Sequence, residues 1–92
     1  MSTSILLSAV LLVEQVKAAR MLLGWDQYQL ASASKISVGT IKRLEAKPGV
    51  IGGTMETAMK IRSALETAGI IFIQPDATGG AGVRLADTRP AS

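Results

Sequence analysis

The chain has no cysteine and no histidine among its 92 residues. The first absence excludes disulfides and thiolate metal sites. The second removes the usual general base and the commonest metal ligand. Only seven acidic residues are present, and they are scattered. No carboxylate cluster offers itself for acid–base or metal chemistry. Gly79-Gly80-Ala81-Gly82 is not followed by a helix-opening Lys-Ser or Lys-Thr, so a nucleotide-binding loop has little support. No internal repeat is present. No catalytic residue, metal ligand or cofactor is assigned, and the chain is not read as an enzyme.

A long hydrophobic run is also missing. The nearest candidate, Ile5–Val13, is nearly all apolar but far short of the roughly 20 residues that cross a bilayer. The preceding Met-Ser-Thr-Ser carries no charge, unlike the basic start of a signal peptide. The expectation is a soluble, cytoplasmic protein with no membrane contact. Ile5–Val13 then belongs to a leading helix packed on the domain or on a second subunit.

Ninety-two residues suit one domain with a modest core. The net charge is +3 and the pI is near 9.7. That balance is compatible with nucleic acid without requiring it.

In chain order, the first helix is expected to start between Ser4 and Ser8 and to run to Leu23. Leu12, Val16, Ala19 and Leu23 recur at helical spacing, and Gly24 stops the run. A break near Ser8, giving two helices, is the alternative. Trp25 reads as a core plug. Asp26 is a good N-cap for a second helix.

The stretch Gln27–Glu45, QYQLASASKISVGTIKRLE, organises the rest. It reads as two short helices joined by a tight turn. Leu30, Ala31, Ile36, Ile41 and Leu44 are its apolar positions. Ile41 and Leu44 share one face of the third helix, which runs from Val38 to about Ala46. Ser37 caps that helix. Its opposite face holds Val38, Gly39, Lys42 and Arg43. A short helix apolar on one side and basic on the other has the shape of a DNA recognition helix.

Lys47-Pro48-Gly49 ends this helix, and Val50–Gly53 is a loop. Thr54 caps a fourth helix, Met55–Ala68, with Ala58, Ile61, Leu65 and Ala68 on one face and Gly69 as its stop. Ile70–Ile73 has strand propensity. Gln74–Gly82 is a loop, and Gly82–Leu85 can form a second strand. A lone hairpin is marginal in water, and its apolar edge asks for cover. The same element of a second copy is the simplest cover. The other reading folds Ile71 and Ile73 back on the leading helix of their own chain. These elements divide the chain into a helical unit, 1–69, a hairpin for dimerisation, 70–85, and a loose tail, 86–92.

The pieces Val16-Lys17-x-x-Arg20, Leu23-Gly24-Trp25-Asp26-Gln27, Leu30-Ala31, Ile36-Ser37, Thr40-Ile41 and Leu44-Glu45 together carry a resemblance. Residues 16–45, about a third of the chain, resemble the helix-turn-helix core of the phage-repressor (Cro-like, XRE) family. The resemblance implies a mainly α, lambda-repressor-like helix-turn-helix bundle of four to five helices. The short C-terminal β-hairpin would close it and serve dimerisation through Ile70, Ile71, Phe72, Ile73, Val83 and Leu85. It implies a transcriptional regulator that binds double-stranded DNA in a sequence-specific way, as a homodimer on a two-fold symmetric operator. It also implies a partly buried ion pair between Arg20 and Glu45, and a phosphate contact from Gln27.

The expected DNA-binding residues are Gln27, Lys35, Ser37, Val38, Gly39, Thr40, Lys42, Arg43 and Lys47. Arg43 can fork onto a guanine, or it can join Lys42 in neutralising phosphates. Val38 can touch a thymine methyl, and Gly39 lets the backbone approach closely. Two positions depart from the family. Lys35 stands where the turn usually has Gly, and a left-handed backbone there costs roughly 1 kcal/mol. Val38 and Gly39 stand where many relatives place Gln, Arg or Asn. So few base-reading side chains shift part of the specificity to DNA shape. The loop after the third helix has Lys47 alone, which implies few phosphate contacts and a shallow salt dependence. An alternative reading is an antitoxin or adaptor module that binds a different protein through Ile5–Val13 and Ile70–Ile73.

Overall fold

The computed structural model describes residues 11–87. Within them the order is α1 (Val13–Leu23), α2 (Gln27–Ser34), α3 (Val38–Glu45), α4 (Met55–Thr67), β1 (Ile70–Ile73) and β2 (Gly82–Leu85). Among the described residues the fold is mainly α, four helices with a two-stranded antiparallel hairpin.

The first helix is shorter than its apolar pattern suggests. It begins at Val13, not between Ser4 and Ser8, and those serines lie outside the described residues along with the break considered near Ser8. Leu12 is extended, with φ −95° and ψ 143°. The cause is a set of bonds to the chain that follows α3. Ile51 N–H donates to Leu11 O at 2.8 Å, and Val13 N–H donates to Gly49 O at 2.8 Å. Leu12 and Val50 form an isolated antiparallel bridge. The backbone polar groups of this stretch are thereby satisfied without a helix. Gln15 then sets the helix start: its Oε1 accepts from Leu12 N–H at 3.0 Å, the role that Gln or Glu plays at the third helical position.

The later elements start and stop on local chemistry. Gly24 ends α1 in a left-handed conformation, φ 70°, which glycine adopts without a Cβ clash. Asp26 and Gln29 cap α2 reciprocally: Gln29 N–H donates to Asp26 Oδ1 at 2.8 Å, and Asp26 N–H donates to Gln29 Oε1 at 2.7 Å. Ser37 caps α3 by accepting from Thr40 N–H at 3.2 Å. Thr54 caps α4 by accepting from Thr57 N–H at 3.1 Å. Helix α4 ends one residue earlier than its periodicity suggests, with Ala68 as the C-cap.

One core cluster joins the four helices and β1, and Val83 of β2 packs against it. Leu11, Val16, Ala19, Leu30, Ala31, Ile41, Leu44, Ile61, Leu65 and Ile70 form it. Ala31 lies buried on α2, the helix that packs on α3 and α4. Trp25 is half-buried and packs against this cluster from its margin. It is a wall of the core and not a plug within it.

The hairpin pairs Ile70 with Leu85, Ile71 with Arg84, Phe72 with Val83 and Ile73 with Gly82. Side chains alternate across a strand, and burial follows. Ile70 is buried and Phe72 and Val83 pack on the core, while Ile71 and Ile73 stay at the surface. The Arg62 guanidinium of α4 lies 4.8 Å from the centre of the Phe72 ring. Gln15 ties α1 to the hairpin's loop end, donating from Nε2 to Gly82 O at 3.0 Å and to Ile73 O at 3.4 Å. In the loop, the Asp76 carboxylate accepts from the Thr78 hydroxyl at 2.6 Å and from the Thr78 N–H at 2.8 Å. These two bonds hold its pKa below the ordinary aspartate value. Among the described residues no helix is long and apolar enough to cross a membrane.

Candidate functional site

A buried charged cluster fixes how α3 sits on the rest of the molecule. Glu45, the last residue of α3, is 6% exposed. Arg20 of α1 grips it with two parallel bonds, Nη2 to Oε1 at 2.7 Å and Nε to Oε2 at 2.9 Å. This fork is the strongest geometry open to a guanidinium and a carboxylate. Arg20 also donates from Nη1 to Trp25 O at 3.1 Å. Gln27, at the start of α2, donates from Nε2 to Glu45 Oε1 at 3.0 Å. The cluster therefore joins α1, the α1–α2 connection, α2 and the end of α3.

This placement changes the role open to Gln27. Its position at a helix start suggests a side chain turned outward to a duplex backbone. In the structure its amide nitrogen is spent on Glu45 and the residue is half-buried. Gln27 thus helps to orient α3.

The outer surface of α3 follows from the helical period of 3.6. Ile41, Leu44 and Glu45 face the core, whereas Gly39, Lys42 and Arg43 share one exposed arc. Val38, grouped with that arc by sequence, is half-buried and packs against the core. Its side chain lies on the boundary of the helix and not on its outer face. Thr40 is half-buried, and its Oγ1 accepts from the Ser37 hydroxyl at 2.9 Å. Ser37 and Thr40 thus hold each other at the helix start. A Cβ built on Gly39 meets nothing within 4 Å, so its surface is open.

Lys42 reaches across to α2. Its Nζ lies 5.3 Å from the centre of the Tyr28 ring, within cation–π range. Tyr28 is 60% exposed. The outer surfaces of α2 and α3 thereby become one surface. Tyr28 is not among the residues that the sequence assigns to the site. The signal for it is weak, since position 28 faces position 42 only once the two helices cross.

Lys35 sits in the turn with φ 61°, the one positive φ outside glycine among the described residues. Lys35 and Lys47 are both exposed. From Gln27 to Lys47 the chain carries four cations and one acid, and that acid, Glu45, is neutralised beneath the surface by Arg20. The α2–α3 surface is therefore basic. An open groove of about 810 Å³ lies to one side of it, between α2 and α4. Trp25, Ala33, Lys35, Met59, Ala64 and Ala68 are among its walls.

The six residues assigned to dimerisation divide by strand parity. Ile70 is 3% exposed and belongs to the chain's own core. Phe72 and Val83 pack against that core. Ile71 and Ile73 lie on the other side of the sheet and keep 37% exposure each, while Leu85, paired with Ile70 on the inward side, keeps 38% at its margin. Gln15 is a structural residue that sequence reading passed over. Its signal was a Gln at the third position of a helix whose N-cap, Leu12, has no capping oxygen.

No protein-family model, curated protein or solved structure matches the chain.

Proposed function

We propose that the chain is a helix-turn-helix DNA-binding regulator of the phage-repressor-like kind. On this reading it acts as a homodimer on a two-fold symmetric operator and works in the cytoplasm. The observation that carries it is the exposed arc of Gly39, Lys42 and Arg43 on α3. That arc is continuous with Tyr28 on α2 and is backed by Ile41, Leu44 and the Arg20–Glu45 pair. A major groove about 12 Å wide admits one helix, and α3 presents its cations where such a groove would lie.

Each residue then has a task. Lys42, Lys35 and Lys47 neutralise phosphates. Arg43 neutralises a phosphate or forks onto a guanine. Gly39 allows close approach of the first turn. Ser37 and Thr40 fix that turn. Arg20, Glu45 and Gln27 set the angle of the helix. With one side chain suited to base edges, DNA shape supplies much of the discrimination. Two copies would place their α3 helices about one turn of duplex, roughly 34 Å, apart.

The test is duplex binding measured across a salt series for Lys42→Ala and Arg43→Ala. Both variants keep parental helical content, because both side chains are exposed. Each lost phosphate contact lowers the magnitude of the log–log salt slope by about 0.9. Parental binding by both variants, to DNA selected from a random pool, would sink the assignment of α3.

A second reading has one observation in its favour. Ile71 and Ile73 form an exposed apolar pair, as a module that binds a different protein would present. A stable non-identical partner that co-purifies with the chain supports this reading, and a purely self-associated species counts against it.

A further inference from the structure

Tyr28 and Lys42 meet outside the core. The Lys42 ammonium lies 5.3 Å from the centre of the Tyr28 ring, Tyr28 is 60% exposed and Lys42 is exposed. Neither side chain belongs to the core cluster. Helices α2 and α3 are joined beneath them by Leu30, Ala31, Ile41 and Leu44 and by the Gln27–Glu45 bond. A cation–π contact at an exposed site is worth only about 0.5–1 kcal/mol, against roughly 2–5 kcal/mol for one buried leucine or isoleucine. The pair therefore adds little to the fold. Its main effect is on Lys42 itself, because it restricts where a long flexible stem carries its charge.

The other cations on this surface are not held in that way. Among the described residues no hydrogen bond, ion pair or ring contact engages the side chains of Lys35, Arg43 or Lys47. Of the four, Lys42 alone has its charge aimed before a ligand arrives, and the aim is toward α2. That direction matters on a duplex. On the proposed reading α3 lies in the major groove and α2 crosses the backbone. A cation drawn from α3 toward α2 then stands at the wall of the groove, beside phosphates and away from the base edges. The Tyr28 hydroxyl has no partner among the described residues. It adds a donor at the same place, and tyrosine hydroxyls are among the groups that bond phosphate oxygens. Asp26, the nearest acid in sequence, turns its Oδ1 to the Gln29 N–H of its own cap.

We propose that Tyr28 and Lys42 act as one phosphate-binding unit. The ring holds the ammonium toward α2, and the ammonium and the phenol hydroxyl both donate to one stretch of duplex backbone. Tyr28 is thus a positioning residue for Lys42 and a phosphate contact in its own right. Such contacts carry no base information, so the unit sets affinity and leaves base choice to other residues. This inference rests on the recognition-helix reading and adds to it a residue of α2.

The test compares Tyr28→Phe, Tyr28→Leu, Lys42→Ala and the double variant Tyr28→Leu/Lys42→Ala. Each is titrated with a duplex selected from a random pool by the parent and with an unrelated duplex. Tyr28→Phe keeps the ring and loses the hydroxyl, so its affinity falls about threefold. Tyr28→Leu loses both, and its affinity falls about tenfold. The double variant loses less than the product of the two single losses, because each residue acts partly through the other. The ratio of selected to unrelated affinity stays at the parental value throughout. A second readout uses the free protein: the ring current of Tyr28 moves the ε-methylene proton resonances of Lys42 upfield, in the parent and in Tyr28→Phe but not in Tyr28→Leu. Random-coil positions in the parent would overturn the pairing. Parental affinity in Tyr28→Leu, or single losses that simply multiply, would overturn the unit and leave the α3 reading standing. A changed affinity ratio in Tyr28→Leu would overturn its indifference to sequence. A parent that binds neither duplex overturns both readings.

Discussion

On one side of the molecule, α3 exposes Gly39, Lys42 and Arg43 above a buried cluster of Arg20, Glu45 and Gln27. On the other, β1 exposes Ile71 and Ile73 above Ile70 and Phe72. The first surface is charged and is held in place by directional bonds to a carboxylate. The second is apolar and is held by alternation along a strand. Water solvates the first well, so it gains only when a polyanion replaces that water and releases counterions. It solvates the second poorly, so any apolar cover is favourable by about 25 cal/mol per Å² removed from water. The two sides of this small fold are therefore suited to different partners, and a change on one should leave the other intact.

Substitutions can break that comparison or sharpen it. The largest effect is expected from Glu45→Ala. It strands the Arg20 guanidinium, whose side chain is 15% exposed, and takes the acceptor from Gln27. Removing one partner of a buried pair costs about 3–5 kcal/mol, to be read from the denaturant midpoint. A loss under about 1 kcal/mol would mean that directional bonds do not hold the α3 side.

Next comes a matched pair on adjacent residues. Ile70→Ala deletes a core side chain and should cost about 2–5 kcal/mol. Ile71→Ala should change the stability of the isolated monomer by less than about 0.5 kcal/mol. Urea denaturation at low protein concentration measures both. Equal losses would contradict the parity that separates the two sides of β1. Gly39→Ala is expected to act in the opposite direction on stability. The new methyl group meets nothing within 4 Å and gains roughly 1 kcal/mol of helix propensity, seen as a raised thermal midpoint. Duplex affinity should fall in the same variant, because the methyl group fills space that close approach requires. Unchanged affinity would show that the first turn of α3 stands away from the duplex.

Much of the fold is legible in the sequence because its signals are local. Asp26, Ser37 and Thr54 mark helix starts through their own side chains, and Gly24 marks a stop through its own backbone. The strand bounds Ile70–Ile73 and Gly82–Leu85 follow from β propensity between loop residues. The start of α1 was not legible. Ile5–Val13 is apolar almost throughout, so no period separates helix from extended chain, and the bonds that decide the matter come from Gly49 and Ile51. The same limit applies to Ile70-Ile71-Phe72-Ile73: four apolar residues in a row show no alternation, and only packing tells the two sides apart.

In the candidate site, the cations at 35, 42, 43 and 47 could be located from helical period and turn chemistry alone. The bond from Gln27 to Glu45 could not be read. A polar residue at a helix start looks outward until Glu45, 18 residues later, is brought beneath it. The half-burial of Val38 was hidden for a related reason, since it lies at the edge of the apolar arc where a single residue can fall either way.

The lone indole at position 25 also has a practical consequence. It stands where α1 passes to α2, and it walls a groove whose far side is α4. In a chain with one tryptophan, all red-edge-excited emission comes from this spot. A shift of α4 against α2, whether caused by heat, denaturant or a bound duplex, would change the colour of that light without any dye being attached.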